Sequence, residues 1–204
     1  MRSLRSGSTL RTPRRSSSST RKDLAEAAYA GAYVRPRVLL ELGAKSDHDP
    51  QVPGTVRPYA AEAFAVQFAS PTVEIPTLGA ERTFWEKAIL LHERAMRPKA
   101  TQADRFSRHY HDVVVLARSS AGQAALAAPE LLRRVADHKD IFFKVGGGVY
   151  ECANPGTLRL VPPNEVLTAL RTDYGRMREM FFDDPMPFDG LLASLRALEA
   201  RINS

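Results

Sequence analysis

The chain has 204 residues, of which 44% are hydrophobic and 25% are charged, as in an ordinary globular domain. No apolar run approaches the roughly 20 residues that span a membrane, so we expect neither a membrane protein nor a membrane partner. The single cysteine, Cys152, excludes an internal disulfide and a cysteine-based zinc site and is consistent with a reducing, cytoplasmic setting.

The net charge of +6 comes from the N-terminal end of the chain. Residues 1–22 carry seven cations and no acid, and without them 22 cations stand against 23 acids. This Arg- and Ser-rich segment has too few apolar residues to build a core, so we expect a disordered tail over residues 1–30. A transit peptide and a segment foreign to the domain are alternative interpretations.

The next residues predict the first regular elements. Residues 23–32 are typical of a short helix, and residues 37–42, RVLLEL, of a buried strand. Glu41 interrupts the apolar run of this strand. A carboxylate there requires a charged partner or a metal ion, or it lies at the strand end and reaches solvent or an arginine.

A loop and a second strand follow. Glycines and prolines predict a loop over residues 43–58. Asp47, His48 and Asp49 in this loop are a weak metal-ligand pattern, and a solvated turn is the favoured interpretation. Residues 59–68 predict a short amphipathic helix, and residues 73–78, VEIPTL, an alternating strand.

The centre of the chain carries two helical patterns joined by a basic connection. Residues 80–96 and 105–118 each predict a helix, and the first has a buried apolar stripe. Its members are Phe84, Trp85, Ala88, Leu91 and Ala95. The basic connection followed by a helix start predicts a site for a phosphate-bearing ligand.

The remainder of the chain is predicted to be helical. Residues 122–143 predict one or two helices, residues 165–182 a helix capped by Asn164, and residues 191–202 the last helix. Gly146–Gly148 lack the helix start that a phosphate-binding loop requires, so we interpret them as an ordinary loop. The body is therefore mostly helical, with two or three strands near its N-terminal end.

Several segments occur in an order that resembles the AbiEii/AbiGii-type nucleotidyltransferase toxins of bacterial toxin–antitoxin systems. They are TFWEKAILLHE, SRHYHDVVVL, VADHKDIFF, PGTLRLVP, DYGRMREMFF and LEARIN. The resemblance covers about residues 33–204 and implies an α+β fold, in which the remnant of a nucleotidyltransferase-type sheet precedes a mainly helical portion. The implied domains are a partial core over residues 31–80 and the helical portion over residues 81–204.

The resemblance also implies a reaction. Members of this family are similar to enzymes that transfer a nucleotide from an NTP to an acceptor with Mg²⁺, and related MenT-type toxins use tRNA ends. Carboxylates then hold Mg²⁺, and a lysine neutralises triphosphate charge. An AbiEi-like antitoxin is the implied partner, and the cytoplasm is the implied location.

Four residues match family motifs position by position. Glu41 matches the strand acid of the metal-binding set, and Lys87 matches the helix lysine for the triphosphate. Asp112 matches the acid that closes an R-x-x-x-D segment begun by Arg108. Without the resemblance, Lys87 reads as a solvated helix lysine and Asp112 as an acid favoured by the helix dipole. The resemblance assigns no role to His92, His109 and His111, which we interpret as structural or solvent-facing.

The chain departs from the family pattern at its beginning. It lacks the G-G-[TS] segment and the D-x-D pair on a strand, since Asp47 and Asp49 lie in a proline-bounded loop. We therefore expect an N-terminally incomplete chain that is inactive or nearly inactive alone. Mg²⁺ is the cofactor that the resemblance implies, but one carboxylate is a poor site for two metal ions without the missing acid pair. The alternatives are a non-catalytic remnant that binds an antitoxin or RNA and, ranked last, a basic nucleic-acid-binding protein.

Overall fold

The computed structural model describes residues 45, 47, 49–98, 105–181 and 183–204. The predicted tail, the helix at 23–32 and the strand at 37–42, with Glu41, lie outside these residues. Every described element belongs to one unit, Asp47–Ser204. This unit is α+β, with a two-stranded sheet followed by a mainly helical portion, as the sequence predicts. None of the helices in the described segments combines the length and apolar character needed to cross a bilayer.

The sheet is an antiparallel pair of strands, β1 (Gln51–Val56) and β2 (Val73–Leu78), in a register that runs from Gln51↔Leu78 to Val56↔Val73. The predicted strand at 73–78 is confirmed, but the predicted loop at 43–58 is wrong where β1 forms. Pro53 lies opposite Pro76 in this register. Each strand of this described pair is an edge strand. Proline has no backbone N–H, and at an edge position where that N–H would point away from the partner strand no inter-strand hydrogen bond is lost.

The short helix α1 (Ala60–Ala63) is followed by a turn of 3₁₀ helix at Ala65–Gln67. Six longer helices come after this turn in the described part of the chain. They are α2 (Ala80–Met96), α3 (Ser107–Arg118), α4 (Ser120–Ala127), α5 (Glu130–Phe143), α6 (Asn164–Arg176) and α7 (Phe188–Asn203). The predicted bounds of α2 are confirmed, and the region 122–143 forms two helices, α4 and α5.

The helix predicted at 165–182 differs in two details. Its α-helical part ends at Arg176 and continues as 3₁₀ helix over Met177–Met180. Asn164 is its first residue, and no side chain caps this end through a hydrogen bond, so the predicted Asn164 cap is wrong. Pro163 occupies the capping position, which suits a residue without a backbone N–H.

The core is built around α2, which packs against α3, α4 and α5. Phe84, Trp85, Ala88 and Leu91 are buried, which confirms the predicted apolar stripe except at Ala95, which is half-buried. Burying each large side chain contributes about 1.5–3 kcal/mol. The indole Nε1 of Trp85 donates a hydrogen bond to the Ala125 carbonyl at 3.2 Å, so this core residue also joins α2 to α4.

The crossing of α4 over the end of α3 depends on Gly122. A Cβ atom at this position would lie 1.9 Å from the carbonyl oxygen of Leu116. That contact is with backbone, which cannot move aside as a long side chain can. Only glycine therefore allows α4 to approach α3 this closely.

The segment 158–161 belongs to PGTLRLVP, and side chains of the LEARIN segment on α7 bind its backbone. Asn203 accepts a hydrogen bond from the Leu158 N–H and donates one to the Leu158 carbonyl. Glu199 accepts hydrogen bonds from the N–H groups of Leu160 and Val161. These two residues therefore satisfy backbone groups of a segment that forms no sheet in the described part of the chain.

His92 of α2 completes this arrangement from the other side. Its Nδ1 accepts a hydrogen bond from the Arg159 N–H at 2.9 Å, so Nε2 carries the proton and donates to the Val149 carbonyl at 3.0 Å. Burial lowers the pKa of His92 below its ordinary value, which keeps the ring neutral. His92 is therefore structural, as the sequence analysis interprets it.

Candidate functional site

Two of the predicted site residues meet between α2 and α3. The Lys87 Nζ lies 2.7 Å from the Asp112 Oδ2, and the two side chains are 25% and 35% exposed. Phe84, Trp85 and Ala88 place the buried face of α2 against the core, which leaves Lys87 at the edge of that face. The ion pair thus lies at the protein surface, within reach of a ligand in solvent.

Further cations surround this pair. Arg108 is exposed and lies one helical turn before Asp112 on α3. On α2, the Arg94 guanidinium stacks 4.5 Å from the ring centre of Phe106. We call Lys87, Arg94, Arg108, His109 and Asp112 the α2–α3 charge cluster. Arg108 is an exposed cation beside the Lys87–Asp112 ion pair, so the cluster suits an anionic ligand.

His109 is the neutral member of the cluster. Its pKa is lowered from 6.5 to about 4, with burial as the largest cause; the positive charges of Lys87, Arg108 and Arg94 also lower it, and Asp112 raises it. Its Nδ1 is buried and has no hydrogen-bond partner among the described residues. The ring is therefore uncharged at neutral pH and adds no repulsion to its cationic neighbours.

This lowered pKa predicts a pH dependence of stability. The unfolded chain binds a proton at His109 near pH 6.5, whereas the folded protein resists it until about pH 4, so stability falls as the pH drops through that range. Urea denaturation at a series of pH values will measure the slope. We expect His109→Gln to make the slope shallower without removing it, because His92 also has a lowered pKa, and Gln67→Ala, at an exposed residue that binds no proton, to leave it unchanged. An unaltered slope in His109→Gln contradicts the assignment.

The start of α3 is held by a carboxylate from another helix. Asp173 of α6 accepts hydrogen bonds from the Arg105 N–H at 2.9 Å, the Ser107 N–H at 2.8 Å and the Ser107 hydroxyl at 2.5 Å. Arg105 itself has a φ of 67°, a conformation that residues other than glycine adopt at a cost. Asp173 thus takes the place that a bound phosphate has at other helix starts, so this helix start is not open to a ligand phosphate.

The described residues do not by themselves fit a magnesium site. In segments 49–98, 105–181 and 183–204, and at residues 45 and 47, no group of three or more His, Cys, Asp or Glu side chains is placed to hold a metal ion. One oxygen of Asp112 is bound by Lys87, and the predicted ligand Glu41 lies outside the described residues.

The Asp47 and Asp49 pair has arginine partners instead of a metal. The buried Arg82 lies 2.8 Å from Asp47 Oδ2 and donates to the Asp49 carbonyl, while the Asp49 carboxylate pairs with Arg134. A carboxylate held by a guanidinium is a poor metal ligand because binding a cation would require breaking the pair. This turn is therefore held by arginine side chains and is not simply solvated, while His48 lies outside the described residues.

Sequence reasoning missed two residues that organise this region, Arg82 and Asp173. Arg82 precedes Trp85 by one helical turn and so lies on the buried face, a position where an arginine requires partners. That spacing was available from the sequence. Asp173 heads the segment DYGRMREMFF, but its partners lie 66 to 68 residues away, and no local pattern identifies them.

Comparison with known proteins yields one match. A protein-family model described as "Nucleotidyl transferase AbiEii toxin, Type IV TA system" matches residues 6–194. The matched region contains both helices of the charge cluster and α6, which carries Asp173. Searches of curated proteins and of solved structures produced no significant match.

Proposed function

This chain belongs to the AbiEii family of nucleotidyl transferase toxins of type IV toxin–antitoxin systems, and from that premise we propose that its α2–α3 charge cluster binds the triphosphate of an NTP. The observation that carries the proposal is the 2.7 Å pair between Lys87 and Asp112, with the exposed Arg108 beside it. Two residues from separate family-like segments, 25 positions apart, meet at one surface.

Each residue has a role that its position supports. Asp112 holds the Lys87 ammonium in place between the helices, and Lys87 then offers its remaining N–H donors to phosphate oxygens. Arg108, exposed on the adjoining turn, supplies a planar guanidinium that pairs with two phosphate oxygens at once. Asp112 also limits the positive charge of the cluster, so that the lysine does not repel its neighbours.

The wider reaction that we propose is transfer of a nucleotide from the bound NTP to an acceptor, with tRNA as the acceptor and an AbiEi-like antitoxin as the partner. Mg²⁺ would neutralise phosphate charge in such a reaction, and its carboxylate ligands would have to come from outside the described residues. Since this chain lacks the D-x-D strand motif of the family, we propose that it binds NTP but does not transfer nucleotide alone.

The test separates binding from transfer. We expect Lys87→Ala to weaken binding of labelled NTP at least about tenfold, because a charge-assisted hydrogen bond to phosphate contributes about 1.5–3 kcal/mol. Lys144→Ala, which removes an exposed lysine outside the cluster, is the matched control and is expected to bind as the original chain does. Equal binding by all three proteins contradicts the assignment of Lys87.

The transfer assay combines the purified chain with labelled NTPs, Mg²⁺ and total bacterial tRNA. We expect no labelled tRNA above background from a chain that is folded by circular dichroism. Labelling that both Lys87→Ala and Asp112→Ala abolish would show that the chain is a complete enzyme and that the proposed inactivity is wrong.

A second candidate function is a non-catalytic module that binds RNA or an antitoxin. The pairing of Asp112 with Lys87 favours it, because a carboxylate held by an ammonium group is a poor metal ligand. In that case tRNA binds to the chain without NTP, and Lys87→Ala weakens tRNA binding equally in the presence and absence of NTP. A gel-shift titration of tRNA in the presence and absence of NTP distinguishes the two candidates.

A further inference from the structure

A groove of about 300 Å³ lies on the helical portion, between α3, α4 and α7. Its floor includes the buried side chains Val114 and Leu198, and the exposed Arg118 and Arg201 stand at its edges. We call it the α3–α7 groove. Its lining includes none of the residues of the α2–α3 charge cluster, so it constitutes a separate surface.

Both arginines are oriented by neutral partners. The Arg118 Nη2 donates to the Ser194 hydroxyl at 3.1 Å, which links α3 to α7. The Arg201 Nη2 donates to the Gln123 side-chain carbonyl at 2.9 Å, which links α7 to α4. Each bond uses one of five N–H donors of a guanidinium and leaves its charge uncompensated. The groove therefore presents two ordered cations with donors to spare.

The acids of the three surrounding helices are engaged elsewhere. Only three occur on α3, α4 and α7, namely Asp112, Asp189 and Glu199. Asp112 pairs with Lys87, Asp189 with Arg171, and Glu199 accepts two backbone hydrogen bonds from the segment 158–161. No carboxylate lines the groove, so a ligand has to supply the negative charge.

We propose that the α3–α7 groove docks an acidic peptide segment of a protein partner, with carboxylates on Arg118 and Arg201 and an aliphatic side chain on Val114 and Leu198. The N-terminal segment of this chain does not suit the groove, because residues 1–22 carry seven cations and no acid. A single-stranded nucleic acid suits it less well, because no aromatic side chain lines the groove for bases to stack on.

The test is independent of nucleotide binding. The full chain is titrated into a short fluorescein-labelled peptide of alternating glutamate and leucine, and fluorescence anisotropy measures the Kd at low and high salt. We expect binding that weakens with salt and is weakened at least about tenfold by the double variant Arg118→Glu/Arg201→Glu, because the two contacts are the charged anchors of the complex.

The matched control is Arg178→Glu/Arg196→Glu, which makes the same net charge change at exposed arginines outside the groove. Its Kd for the peptide is expected to stay within about twofold of that of the original chain, because moderate salt screens the long-range effect of charges outside the groove. Arg118→Gln/Arg201→Gln provides a milder variant should the charge reversal disturb folding. The proposal is overturned if the chain does not bind the peptide, if the control loses binding equally, or if an oligothymidine probe binds more tightly through the same arginines.

Discussion

Replacing Arg82 by methionine is expected to lower the free energy of unfolding by about 3 kcal/mol, the lower end of the range for removing one partner of a buried ion pair. The Arg82 side chain is completely buried, and its partners are Asp47, Glu86 and the Asp49 carbonyl. Methionine fills part of the volume but removes the Arg82 donor from two carboxylates and one carbonyl.

The estimate lies at the lower end because the carboxylates keep some access to water. The side chains of Asp47 and Glu86 are 34% and 35% exposed, so solvent compensates part of the lost attraction. The loss remains large because Arg82 also attaches the segment before β1 to the first turns of α2. Without it, the residues that lead into the sheet lose their buried attachment to α2 and keep the more exposed pair between Asp49 and Arg134.

Urea denaturation followed by circular dichroism measures this effect. Arg178→Met is the matched control, since Arg178 pairs with Asp184 on the surface, where both side chains are largely exposed. We expect the control to shift the denaturation midpoint little. If the two variants have similar denaturation midpoints, the buried arginine contributes no more to the free energy of unfolding than a surface arginine does.

Where apolar periodicity is strong, the fold follows from the sequence. The bounds of α2 are predictable because its apolar residues recur at helical spacing, and burial of that stripe then decides how the neighbouring helices pack. β1 is not predictable in the same way. Its proline and glycine are typical of loops, and only pairing with β2, which places Pro53 opposite Pro76, makes this segment a strand.

The candidate site is predictable only in part. The family resemblance identifies Lys87 and Asp112, but their contact depends on how α2 and α3 are rotated against each other, which no local pattern encodes. The role of Asp173 is less accessible still. An aspartate within a helix appears solvated from its sequence neighbours, and its three hydrogen bonds to the start of α3 exist only in the folded chain.

Because Asp173 accepts these three hydrogen bonds, Asp173→Ala is expected to lower the free energy of unfolding by about 2 kcal/mol. The substitution removes the acceptor for two backbone N–H groups and one hydroxyl at a helix start, where loss of a capping side chain costs about 0.5–2 kcal/mol and unsatisfied donors add to this. Asp173→Asn keeps a carbonyl acceptor without the charge and should recover part of the loss.

The effect is also expected to reach the charge cluster, because Asp173 fixes the first turn of the helix that carries Arg108 and Asp112. Hydrogen exchange measured by NMR should show faster exchange of the Ser107 amide in Asp173→Ala, while amides in the middle of α2 keep their protection. Asp183→Asn, at an exposed aspartate after α6, is the control and should change neither quantity. If Ser107 stays equally protected without the carboxylate, the helix start is held by other contacts and Asp173 does not position the site.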